Sequence, residues 1–373
     1  MNYQQRIDGL ITRLTDNRLS AVALLPGPSL FYFSGLSFHL MERPVIALLS
    51  DAAKLRMVLP DLERVKAETA TVNFELFPYG EQEGAALEAL RQATAGLALE
   101  GAQVGIEPLR MRYHELNMLQ IAVPRATFVP SEGAISALRV LKEKSEIAAM
   151  RRAAEIAEAA LEATLPLIKV GMTELELASE LTIQLLRAGS EPKMPFSPIV
   201  ASGPNAALPH AVPSDRALAV GDSLILDWGA AHQGYGSDIT RTFFLGESPD
   251  ELSKVHEIVR RANAAGRAAV RPGATCGDVD LAARSHIGGA GYGEYFMHRT
   301  GHGLGLEAHE PPFIREDEET VLETGMTFTI EPGVYLPGKG GVRVEDDIVV
   351  TKDGGMSLTN LPRGTRVIGW GSW

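Results

Sequence analysis

Four acidic residues stand where acids seldom do. Asp227, Asp238, Glu331 and Glu345 each fall in a strand-like run whose other members are mostly apolar. An uncompensated buried carboxylate is costly, and such a group ordinarily takes up a proton instead. Four together call for cations, and the formal charges match: four carboxylates balance two divalent ions. A histidine can add a neutral ligand. Three of the nine histidines lie between His298 and His309, and Gly301, Gly303 and Gly305 surround His302. Those glycines predict a backbone able to pass close to a metal. Oxygen-rich ligation with one imidazole suits Mn2+, placed first, or Co2+ or Zn2+, rather than a thiolate-bound structural zinc. Two ions sharing carboxylates sit about 3.5–4 Å apart, activate water and polarise a carbonyl, which is hydrolytic chemistry.

The elements that must position these residues occur twice. Gly171, Thr173 and Glu176 recur as Gly273, Thr275 and Asp278, 102 residues later. Thr173 with Glu176 predicts a capping box at a helix start, and Thr275 with Asp278 a weaker one. Each copy continues into a histidine-bearing loop (Pro209-His210, then Ala308-His309) and a strand ending in an acid (Asp227, then Glu331). A second strand follows in each, carrying Asp238 and Glu345. The spacing therefore predicts two units of two helices and a β-hairpin, facing each other about a pseudo-twofold axis. His210 is expected opposite His309, and Asp227 opposite Glu331.

The first third differs. Segments 21–25, 45–49, 55–59, 72–77, 104–106 and 127–129 read as strands, and 82–95 and 113–123 as helices. This alternation predicts an α/β domain. His39 and His114 there read as surface or packing residues. A long amphipathic pattern over 142–167 predicts a helix opening a second domain. The expected division is 1–138 and 139–373.

Composition narrows the function classes. The net charge is −12, from 35 Lys and Arg against 47 Asp and Glu, which argues against nucleic acid and anionic membranes as partners. A lone cysteine, Cys276, rules out an intrachain disulfide and fits a reducing cytoplasm. Arg6, Asp8 and Arg13 interrupt the opening stretch, so it does not read as a leader peptide. Gly333 to Lys339 imitates a phosphate loop, but Gly340 stands where Ser or Thr is needed and a strand follows. His256 and His286 sit on helical patterns and read as ordinary packing residues.

The ordered runs DWGA, SDITRTF, HRTGHGLGLEAHE, TIEPGVY and GVRVEDD resemble signatures of the pita-bread metallopeptidases. That family includes methionine aminopeptidase, aminopeptidase P and prolidase, with creatinase as a non-metal relative. Arg343-Val344 and the large N-terminal domain are similar to the aminopeptidase P and prolidase branch. The resemblance implies a pita-bread fold with an internal pseudo-twofold repeat, classed α/β (α+β), behind a smaller α/β domain. It implies hydrolysis of an Xaa-Pro bond through a metal-bridging hydroxide, in dipeptides first. Longer peptides, or a non-peptide amide on the same scaffold, are the alternatives.

The same resemblance implies roles. Asp227, Asp238, His302, Glu331 and Glu345 hold two divalent metal ions, with Asp238 and Glu345 bridging. Glu331 also shuttles a proton, His309 and His210 contact substrate and stabilise the tetrahedral intermediate, and His298 lines the proline pocket. Arg343 is expected to share a face with Glu345, because residues two apart on a strand do, and there to offer its fork to substrate or, as the alternative, to tie down Asp or Glu side chains. A cytoplasmic homodimer, with one subunit's N-terminal domain shaping the other's site, completes the expectation.

Overall fold

The computed structural model describes residues 2–369. The chain divides into two compact units, Met1–Arg139 and Val140–Trp373.

The first unit is built on a six-stranded sheet. Its strands run, in spatial order, Glu75–Tyr79, Leu55–Pro60, Ile46–Ser50, Ala21–Leu24, Gln103–Ile106 and Thr127–Pro130. Ala21–Leu24 pairs antiparallel with Ile46–Ser50 and parallel with Gln103–Ile106, so the sheet is mixed. Helices Ala85–Thr94 and Tyr113–Ala122 close one apolar core over it through Leu90, Ala93 and Leu119. One difference from expectation has a physical cause. The edge strand starts at Glu75 rather than residue 72, where parallel pairing with Arg56 begins. The opening stretch is helix Tyr3–Asp16, which buries Ile7, Leu10 and Leu14 at helical spacing. His39 and His114 are exposed.

The second unit repeats one plan. Helices Lys144–Thr164 and Glu174–Ala188 precede strands Ile199–Ser202, Ser223–Trp228 and Ile239–Leu245. Helices Asp250–Ala269 and Cys276–Gly289 precede Gly301–Gly303, Thr327–Ile330 and Asp346–Thr351. In each sheet the middle member of the three strands lies between the other two. The match extends to single hydrogen bonds. The Gly171 N–H donates to Leu218 and the Leu218 N–H to Met172, both at 2.8 Å; Gly273, Leu322 and Ala274 repeat the pair at 3.0 and 2.8 Å. Gly171 and Gly273 have φ of 90° and 87°, a left-handed turn that side chains resist. Both capping boxes are reciprocal and complete. The aspartate version was expected to be weaker, yet the Thr275 N–H reaches Asp278 Oδ2 at 2.9 Å, against 2.8 Å for Thr173 and Glu176.

Burial explains why acids here need compensation. All six residues of Ser223–Trp228 and all seven of Ile239–Leu245 are buried, so these strands are covered on both faces. Trp228 locks helix Lys144–Thr164 to the first sheet by donating from Nε1 to the Ala157 carbonyl at 2.9 Å.

Candidate metal centre

Three of the four acids occupy strand ends rather than strand interiors. Asp238 immediately precedes Ile239–Leu245, Glu331 immediately follows Thr327–Ile330, and Glu345 fills the break between Gly340–Arg343 and Asp346–Thr351. Asp227 is the exception, paired across the sheet with Thr240. Arg343 and Glu345 therefore do not share one strand, contrary to the expectation that they lie two apart on it. They meet through Thr240: its Oγ1 accepts from Arg343 Nε at 3.1 Å and donates to Glu345 Oε2 at 2.5 Å.

The carboxylates and His302 converge. Ligand atoms of Asp238, His302 and Glu345 all lie within 4.8 Å of one another. His302 Nε2 is 3.7 Å from Asp238 Oδ2 and 3.5 Å from Glu331 Oε1. Burial, then repulsion from Glu345 and Asp227, holds the Asp238 carboxyl well above its usual range. Burial, then Glu331 and Asp227, does the same to Glu345. Burial pushes Glu331 up to about 8, with Arg343 opposing. His302 moves well down, chiefly by burial and then by His309, so its ring stays neutral with a lone pair available.

This set fits divalent cations. Asp227 Oδ1 is buried with no hydrogen-bond partner, and a buried polar atom in that state calls for a ligand. Oxygen donors with one imidazole match Mn2+, Co2+ or Zn2+ chemistry. The glycines around His302 have a different reason from the one expected. A Cβ on Gly301 would collide with the Thr329 carbonyl, and one on Gly303 with the Pro311 carbonyl. They permit close strand packing, which brings His302 to the acids.

The surrounding residues are placed as follows. His309 is exposed, with its ring centroid 4.0 Å from that of His302. His210 is exposed too, and lies near both His298 and His309. His298 is half-buried and shares a hydrogen bond between Nε2 and the Tyr335 hydroxyl at 2.8 Å. Burial, then Arg343, pushes its ring down to about 4. The Arg343 fork is turned to the protein: Nη2 donates to Asp227 Oδ2 at 2.5 Å, and Nη1 to the Tyr335 hydroxyl at 2.8 Å and the Pro209 carbonyl at 3.2 Å. Of the two uses expected of Arg343, this contact is the tying of an acidic side chain, because Asp227 lies within its reach.

Some residues of the site are silent in the sequence. Thr240 and Tyr335 look like ordinary strand residues, and only tertiary structure joins them to Arg343. Asp347 Oδ2 accepts from the Asp238 N–H at 3.1 Å, while its Oδ1 is buried without a hydrogen-bond partner. Its position beside Glu345 and Asp346 was the available signal. Lys142 and Glu310 form a buried pair at 2.6 Å next to His309.

Residues 148–352 match the family model for metallopeptidase family M24, and residues 6–141 match the creatinase/prolidase N-terminal domain. An Xaa-Pro dipeptidase of Pyrococcus horikoshii is 35% identical over 96% of this chain and 98% of its own length. A dipeptidase structure from the same organism has 41% identity and a TM-score of 0.92, covering 97% of this chain and all of the other. A recombinant prolidase from Thermococcus sibiricus has 34% identity and a TM-score of 0.94, covering 99% and 100%.

Proposed function

The chain belongs to metallopeptidase family M24, and from that premise we propose that it is a metal-dependent Xaa-Pro dipeptidase. The observation that carries this is the convergence of Asp238, Glu331 and Glu345 on His302, with Asp227 in their field and its Oδ1 buried without a hydrogen-bond partner. These five residues would hold two divalent ions, Asp238 and Glu345 contributing to both, with Mn2+ the first metal to try. When bound, the ions supply Lewis acidity at the scissile carbonyl and a water nucleophile usable at neutral pH.

The rest falls to the chain's own groups. Glu331 accepts a proton from the attacking water and returns it to the departing proline nitrogen. That nitrogen carries no hydrogen in the intact bond and its ring fixes φ, so an ordinary peptidase handles it poorly. His309 and His210, exposed on opposite loops, steady the substrate and the developing oxyanion. His298, fixed against Tyr335, lines the proline side. Arg343 keeps one Asp227 oxygen in place, leaving the other for ligation. The division 1–138 and 139–373 is kept as a working assignment, as are a homodimer and a cytoplasmic location. Among the described residues no helix is long and apolar enough to cross a membrane.

Turnover of Ala-Pro against Ala-Pro-Ala, with Mn2+, Co2+ or Zn2+ added, tests the proposal. Faster hydrolysis of Ala-Pro is expected. Preference for the tripeptide would reassign the enzyme as an aminopeptidase, and inertness towards both would remove the Xaa-Pro reading.

A further inference from the structure

We infer that Glu174 is a positioning residue for the reaction, holding the loop that presents His210. The inference rests on the part proposed for that histidine.

Glu174 opens helix Glu174–Ala188 and is fully buried. Its Oε1 accepts from the Ser202 N–H at 2.7 Å and the Ser202 hydroxyl at 2.8 Å. Its Oε2 accepts from the Ser214 N–H at 3.1 Å and the Ser214 hydroxyl at 2.7 Å. Asn205 Nδ2 reaches both oxygens, at 3.3 and 3.1 Å. Ser202 ends strand Ile199–Ser202 and Ser214 lies four residues beyond His210. One carboxylate thus ties together the two ends of a single loop, through charge-assisted bonds, the stronger kind.

The helix itself does not need this. Its start is already closed by Thr173 and Glu176. Nor does the duplicated scaffold need it. The equivalent first helical residue in the second half is Cys276, and the His309 loop is instead held beside the Lys142–Glu310 pair. What Glu174 does serve is the loop's path to the site. Pro209, next to His210, accepts from Arg343 Nη1, and Arg343 also grips Asp227. The loop is therefore fixed at its base by Glu174 and near its tip by Arg343, with His210 between.

Glutamine at 174 would keep the shape but turn a donor towards donors. Either the Ser202 pair or the Ser214 pair would lose an acceptor, and a buried group left so is costly. The test compares Glu174→Gln, His210→Ala and the double variant in the metal-loaded enzyme, with Ala-Pro as substrate. Metal content and amide exchange over residues 203–214 are read alongside. The expected result is unchanged metal content, faster exchange in the loop, and kcat/KM down about tenfold from the misplaced group. In the His210→Ala background the same change should cost roughly twofold or less, because the two act through one group. Asn205→Ala, a milder cut in the same cluster, should give a smaller version and stands in if Glu174→Gln does not fold. Equal losses in both backgrounds, unaltered loop exchange, or a silent His210→Ala in an active enzyme would each overturn the inference. An inactive wild-type enzyme would overturn the Xaa-Pro reading instead, and loop exchange would still decide whether Glu174 holds the loop.

Discussion

The two halves of the second unit share a scaffold and divide the chemistry unequally. Both have the glycine turn, the capping box and a central strand with an acid in it or just after its end. Yet where the second half places His302, on the strand beside Thr327–Ile330, the first half has buried Ala201 on the strand beside Ser223–Trp228. Arg343 also belongs to the second half, and reaches across to Asp227 and Pro209 in the first. Duplication thus preserves what backbone geometry requires, while ligands and loop anchors are free to diverge. The histidine loops are anchored differently: Glu174 with its Ser202 and Ser214 donors, beside the Arg216–Asp222 pair, in one half, and the buried Lys142–Glu310 pair in the other.

Substitutions can break this comparison, and the largest effect should fall on the acids. Glu331→Gln keeps the volume of the second-half acid but removes its basicity. If Glu331 carries the proton, kcat should fall by about 10²–10⁴, the usual contribution of acid–base catalysis. A loss no greater than that of a Thr240→Val control would take the proton away from Glu331.

Next comes the anchor of the His309 loop. Lys142→Met removes the cation from a buried pair, a change that typically costs about 3–5 kcal/mol. Urea unfolding should show that loss. A variant as stable as the parent would mean that the second loop is not held electrostatically, and the contrast with Glu174 would disappear.

Arg343→Lys tests the bridge between halves. Lysine keeps the charge and loses the fork that spans Asp227, Tyr335 and Pro209. Groups that orient metal ligands are commonly worth about 10–100-fold in metal affinity or activity, so weaker metal binding and a comparable fall in kcat/KM are expected. Full metal affinity with reduced kcat/KM would return Arg343 to the substrate side, where the strand argument first placed it.

The smallest effect should be the most symmetrical. Thr173→Ala and Thr275→Ala each remove one N-cap and should each lower stability by about 1 kcal/mol. Unequal losses would show that the caps, alike in geometry, carry different loads in the two halves.

Much of this was legible because acids in apolar runs contradict their surroundings. Asp227, Asp238, Glu331 and Glu345 are conspicuous for that reason, and the fixed offset of Gly171 and Gly273 exposes the duplication. The rest depends on partners distant in sequence. Glu174 looks like any acid in a helix's first turn until Ser202 and Ser214, 28 and 40 residues on, are seen to close on it. Thr240 and Tyr335 carry no local signal at all. Arg343 was conspicuous, but the direction of its fork was set by Asp227, 116 residues earlier. In the first unit, helix Tyr3–Asp16 was legible from the apolar stripe of Ile7, Leu10 and Leu14.

The central claim is that acids from both halves jointly hold two ions, and metal stoichiometry in Glu345→Ala tests it most directly. Elemental analysis of the wild-type enzyme, loaded with Mn2+ and desalted, should find two ions per chain. If Glu345 serves each ion, as proposed, the variant should lose both. Two ions retained in Glu345→Ala would contradict the account.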